Sequence, residues 1–193
     1  MRVNKLIVAA IAGVIFFICT GNQNAECGEI SIVANPASKN NSIKQKQVCN
    51  DAGCFSEFKG AWFDVMYPAE FFPKVIQKSA SKAEKADAVI FLSPDKLVEF
   101  YIFSPQWSGV APGIEINPTT EKLESEKSSR SKDGTVTWFT ISSRKGDYIR
   151  SYQAFKSDSI YWVIGIKYKD KKAYDQYKTQ YLFFKKSLHQ YAD

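Results

Sequence analysis

The chain has 193 residues, 45% of them hydrophobic, and a formal charge of +6, two units of which belong to Arg2 and Lys5. That length holds one core, and the composition is that of a globular chain rather than a low-complexity one. Past residue 25 the only arginines are Arg130, Arg144 and Arg150 and the lysines are scattered, so the basic stripe of a nucleic-acid binder is absent and no nucleic-acid partner is expected.

Residues 1–5 carry two positive charges, residues 6–18 are uncharged and apolar, and residues 20–25 are polar. This is the order of regions in a secretory signal peptide. As a helix the apolar run rises about 20 Å, short of the roughly 30 Å hydrocarbon core. Cleavage after Ala25 and export to the periplasm or the extracellular medium are therefore expected. A membrane tether follows only if Cys19 is acylated, and the bulky Phe16-Phe17-Ile18 before it opposes that.

Outside the cytoplasm a disulfide is the first expectation for Cys27, Cys49 and Cys54. Cys49 and Cys54 flank Asn50-Asp51-Ala52-Gly53, which supplies turn chemistry, so this pair is expected to join. Pairing of Cys27 with either one stays open. The spacing of Cys49 and Cys54 is not a zinc spacing and no histidine lies near, so no metal is expected. Cys-x-x-Cys is absent, which removes the redox-enzyme motif. Residues 26–57 are rich in Asn, Ser, Lys and Gln and read as a flexible leader, with a single domain over 58–193.

Within that domain, residues 61–67 read as a strand closed by Pro68, and residues 71–79 as a short helix or irregular coil. Residues 88–93 and 97–103 flank Pro94-Asp95-Lys96 and form a hairpin. Residues 104–113, rich in Pro and Gly, cannot continue a strand and read as a surface loop. Residues 119–131 are charged with one large apolar residue, Leu123, which predicts an exposed edge strand leading into the Lys132-Asp133-Gly134 turn.

Residues 135–141, 147–155 and 160–166 follow with short turns and predict a three-stranded antiparallel meander. Alternation in the middle strand puts Tyr148, Arg150, Tyr152 and Ala154 on one face, with Ile149, Ser151, Gln153 and Phe155 on the other. At the end, Tyr174, Tyr177, Tyr181, Phe184 and Leu188 recur every three or four residues and build the apolar stripe of a helix, with the lysines off it. The predicted fold class is α+β, an antiparallel sheet of hairpin plus three-stranded meander packed by a C-terminal amphipathic helix. A basic helix lying on a membrane is the rival reading of the same stripe.

The segment order, with Trp62 to Pro68, Asp133-Gly134, Tyr161-Trp162 and Ser187-Leu188, resembles the PsbP-like, DcrB-like and Mog1-like group of α/β/α sandwich proteins. The polar segment before Asp133 departs from members that carry a helix there. The resemblance implies a non-catalytic accessory or binding domain, exported in the bacterial branch, and transfers no ligand or site residue.

Catalytic signatures are sparse. The only histidine, His189, sits beyond most of the core at a helix end, where a nucleophile relay is hard to support. No nucleophile elbow, zinc-protease helix, phosphate loop or dinucleotide fingerprint is present, and no cofactor is expected. Paired carboxylates drawn from Asp64, Glu70, Glu99 and Glu115 leave a hydrolase of an envelope polymer as the alternative. Glu99 interrupts an apolar strand, which predicts a solvent-facing or salt-bridged glutamate.

Trp107, in the Pro/Gly loop, is the candidate ligand-binding residue, against a role as a lid over the core. Trp62, Trp138 and Trp162 read as core. The function expected is a non-catalytic binding or accessory domain acting on an envelope component or partner protein.

Overall fold

A computed structural model describes residues 47–191; the expected signal peptide and cleavage site, Cys19 and Cys27 lie outside them. The described part is α+β, as the sequence pattern predicts, with eleven strands and one helix among the described residues. In chain order the strands are β1 (Gln47–Asn50), β2 (Gly53–Lys59), β3 (Phe63–Pro68), β4 (Phe72–Lys78), β5 (Ala86–Leu92) and β6 (Val98–Phe103). Then come β7 (Glu121–Ser131), β8 (Gly134–Ser143), β9 (Ile149–Lys156), β10 (Tyr161–Tyr168), α1 (Lys171–Lys186) and β11 (His189–Gln190).

Two antiparallel sheets result. The larger has the order β4-β5-β6-β10-β9-β8-β7, which joins the predicted hairpin to the predicted meander through β6 and β10. The smaller has the order β1-β2-β3-β11. Alternation gives the larger sheet two distinct faces. Val89 and Phe91 of β5, Phe100 and Ile102 of β6, and Ile164 and Ile166 of β10 point to one side, where Phe63, Val65 and Tyr67 of β3 and the stripe of α1 complete the main core. Ala88, Tyr101, Phe103, Tyr152 and Val163 point to the other.

Helix α1 begins at Asp170, whose carboxylate accepts the Ala173 N–H at 2.9 Å as an N-cap. It ends at Ser187, whose hydroxyl accepts the Met66 N–H at 2.9 Å and ties the helix end to β3. Tyr177, Tyr181 and Phe184 are buried beneath it, with Tyr174 and Leu188 packed partly against the same core. No described helix is long and apolar enough to cross a membrane.

Residues 47–57 of the segment that reads as a flexible leader lie in strands β1 and β2 and the turn between them, which corrects the extent of that leader. Strands β1 and β2 form a hairpin whose turn is held by Asn50 Oδ1 accepting the Ala52 N–H and by Gly53 at φ +123°. The Cys49–Cys54 disulfide joins facing residues of that hairpin. Phe55 is then fully buried, its ring 4.2 Å from that of Phe183. The closed loop spans a sequence separation of 5, for which chain-entropy reasoning gives about 2 kcal/mol. The paired Cys49→Ser, Cys54→Ser variant should lose about that much in urea denaturation, and the parent should lose the same on reduction.

Residues 71–79 are neither helix nor coil but strand β4, paired with β5 on the sheet edge. An edge strand tolerates Pro73 because its outer N–H groups need no partner. A bulge between Val75 and Gln77 breaks the alternation. The lone histidine is likewise not on a helix end: His189 lies in β11, facing Asp64 of β3. Of the predicted core tryptophans, Trp62 is buried and Trp162 packs partly against the core, but Trp138 is 38% exposed.

Candidate functional site

Among the described residues no helix covers the second face of the large sheet. Instead the segment between β6 and β7 folds back across it, burying Ala111 and bringing Pro112, Gly113, Glu115 and Asn117 over β6 and β9. Between loop and sheet lies a cleft of about 550 Å³. Ile76 and Ile90 form its apolar end, Tyr101, Tyr148 and Tyr152 its aromatic wall, and Glu99 and Lys167 a charged wall.

One ion pair fixes the loop. The Arg150 and Glu121 side chains are each 6% exposed, with Arg150 Nη2 donating to Glu121 Oε2 at 2.6 Å. Arg150 Nη1 also donates to the Gly113 carbonyl at 2.7 Å, and Nη2 to the Glu115 carbonyl at 2.7 Å. Glu121 accepts further bonds from the Asn117 N–H at 2.9 Å and the Tyr148 hydroxyl at 2.7 Å. Burial opposes ionisation of Glu121, but the donors from Asn117, Arg150 and Tyr148 outweigh it and hold its carboxyl below the usual range. The pair thus stitches three points of the loop to β9.

The tyrosines are shaped by their neighbours. Gly165 of β10 has no side chain, and a Cβ there would lie 2.2 Å from Tyr152 Cδ1, so the ring of Tyr152 can lie across the β10 backbone. That ring meets Tyr101 edge-on with centroids 5.5 Å apart. The Tyr101 hydroxyl donates to the Pro112 carbonyl at 3.1 Å, a second tie to the loop. Burial raises the pKa of Tyr101 and Tyr152, while Tyr148 is raised first by its bond to Glu121 and then by burial. All three remain neutral phenols at pH 7.

The charged wall is more open. Glu99 and Lys167 face each other across β6 and β10, with Glu99 Oε1 3.4 Å from Lys167 Nζ. Their side chains are 30% and 38% exposed, and Lys167 Nζ also lies 4.8 Å above the Tyr148 ring. The strand glutamate expected to be solvent-facing or salt-bridged is therefore ion-paired.

No family model matches the sequence, and no curated protein sequence matches it. Solved structures do. The chain is similar to the solution structure of cyanobacterial PsbP (CyanoP) from Synechocystis sp. PCC 6803, at 6% identity and a TM-score of 0.46, over 81% of this chain and 100% of that one. It is also similar to the crystal structure of the Saccharomyces cerevisiae Ran-binding protein Mog1p, at 8% identity and a TM-score of 0.39, over 77% of this chain and 97% of that one. Both belong to the group that the segment order resembles. At these values the likeness concerns the fold and carries nothing about function.

Of the four candidate carboxylates, Glu99 and Glu115 come together in the lining of the cleft. Asp64 stays on β3, its pKa raised by burial, and Glu70 accepts a bond from Gln180 on α1 at 3.1 Å. Sequence reasoning missed Glu121 and Arg150 as a pair, although an arginine on the apolar face of a strand signals a buried charge that needs a partner. No group of side chains suited to a metal occurs among the described residues.

Trp107 is 59% exposed and does not line the cleft, so its ring is not folded over the core as a lid. Trp107→Ala should change stability by no more than about 0.5 kcal/mol, as for a surface substitution. A thermal melt checks this, and a larger loss would restore the lid.

Proposed function

We propose that this chain is an exported, non-catalytic binding domain that takes a small amphipathic component of the cell envelope into the cleft between the 112–121 loop and the large sheet. The cleft carries the reading: apolar at Ile76 and Ile90, charged at Glu99 and Lys167, within the usual size range of small-ligand sites. The buried charges support it, because Arg150 and Glu121 are engaged with each other and with the loop and serve to hold the wall. Export is supported by the order of charged, apolar and polar residues over 1–25. Trp107, exposed in the adjoining loop, would give a second contact to a larger envelope component or partner protein.

The test is a screen of small amphipathic compounds against the purified protein, read by shifts of the Ile76 and Ile90 methyl resonances. Saturable shifts at those methyls without chemical change of the compound support the reading; binding that leaves them unmoved overturns it. The hydrolase alternative rests on the meeting of Glu99 and Glu115 in one cleft. It requires release of product from an envelope polymer, abolished in Glu99→Gln.

A further inference from the structure

The cleft reading leaves the ligand's chemistry open, and the charged wall narrows it. Glu99 and Lys167 stand at facing positions of neighbouring strands, so the sheet register fixes their spacing. They meet at 3.4 Å, and each is about one-third exposed. A carboxylate has several acceptor sites and an ammonium three donors, so one contact leaves both with free capacity. The second ion pair in the lining, the buried Arg150 and Glu121, is turned to the loop: both Nη nitrogens of Arg150 and both oxygens of Glu121 are bonded within the protein, and the one donor left over, Arg150 Nε, is itself buried.

A singly charged ligand meets this wall badly. An anion drawn to Lys167 comes up beside Glu99, and a cation drawn to Glu99 comes up beside Lys167, so each is repelled by one member of the pair. A ligand carrying both charges close together satisfies both members at once. The surroundings also give it a direction. Glu115 lines the same cleft on the loop side, whereas Lys96 and Lys169, with Asp147, line an adjoining hollow that shares Glu99, Tyr148 and Lys167.

Resting on the cleft reading, we propose that the ligand is a small zwitterion with an apolar substituent, of the α-amino acid or short-peptide class. Its ammonium pairs with Glu99 on the Glu115 side, its carboxylate pairs with Lys167 on the Lys169 side, and its side chain lies on Ile76, Ile90 and Tyr101.

Four probes of matched shape test this on the purified domain: L-leucine, L-leucine amide as the cation, N-acetyl-L-leucine as the anion and isoamyl alcohol as the neutral probe. Affinities come from calorimetry, with the Ile76 and Ile90 methyl shifts locating the site. L-leucine should bind at least about tenfold more tightly than either singly charged form, in keeping with the loss of one charge-assisted bond. Glu99→Gln, whose fold is checked by its melt, should lose that advantage and should bind N-acetyl-L-leucine better than the parent does. Lys167→Met should lose the advantage and bind the amide better. If the alcohol or a singly charged probe shifts the methyls as strongly as L-leucine, the zwitterion class is wrong and the cleft stands. If no probe shifts them, both the class and the cleft reading fall.

Discussion

Arg150→Met should destabilise the domain by about 3–5 kcal/mol, the cost of leaving one partner of a buried ion pair without the other. The substitution keeps the bulk of the side chain but removes the cation paired with Glu121 Oε2 and the N–H groups that donate to the Gly113 and Glu115 carbonyls. Urea denaturation measures the loss, and one below about 1 kcal/mol would show that the pair does not hold the loop. Adding Glu121→Leu should recover part of the loss, since an apolar pair of similar volume replaces an ion pair at little cost.

The acid limb gives an independent reading of the same pair. The Asn117, Arg150 and Tyr148 donors outweigh burial and hold the folded pKa of Glu121 below the ordinary glutamate value. Its contribution to stability is therefore fully present above that value and is lost as pH falls through the folded pKa. In Arg150→Met the carboxylate is buried without its cation, so protonation relieves rather than costs. The stability gap between parent and variant should narrow as the pH drops from 7 towards 4, and a constant gap would mean that Glu121 is not the group left unpaired.

How much of this was legible in the sequence depends on the range of the interaction that decides it. The hairpin over 88–103, the edge strand before Asp133-Gly134 and the meander follow from local alternation and turn chemistry, and all three are present. So is the face shared by Tyr148, Arg150 and Tyr152, which becomes one wall of the cleft. Strand β4 was hidden because Pro73, two lysines and a bulge erase its period, as an edge strand permits. The β1 and β2 hairpin was hidden because β1 is wholly exposed and β2 buries only Phe55 and Ser56 fully, with Phe58 packed partly against the core.

Trp138 shows a different limit. Its strand was recognised, but whether a side chain on the helix-facing side is covered depends on how far α1 reaches across the sheet. The site depends on still longer contacts. Lys167 meets Glu99 only because β10 returns beside β6, 68 positions along the chain, and Arg150 meets Glu121 only because a loop folds back over the sheet. No local pattern encodes either meeting.

Phe184→Asp should leave no folded domain at all. Phe184 is fully buried, with its ring 5.5 Å from Phe91 and 5.1 Å from Phe100. Truncation alone, in Phe184→Ala, should cost about 3–5 kcal/mol. A carboxylate in the same place adds the burial of an unpaired charge, which carries the total into the range of about 5–15 kcal/mol that stabilises a whole domain. Leu182→Asp is the matched control: it sits on the same helix but is 51% exposed, and it should fold with near-parent stability. The contrast, read by circular dichroism and thermal melts, separates the two readings of the aromatic stripe. A helix docked on its own sheet makes Phe184 indispensable and Leu182 dispensable for folding. A helix held for a membrane surface would let Phe184→Asp fold and would show its loss only as weaker binding to anionic vesicles.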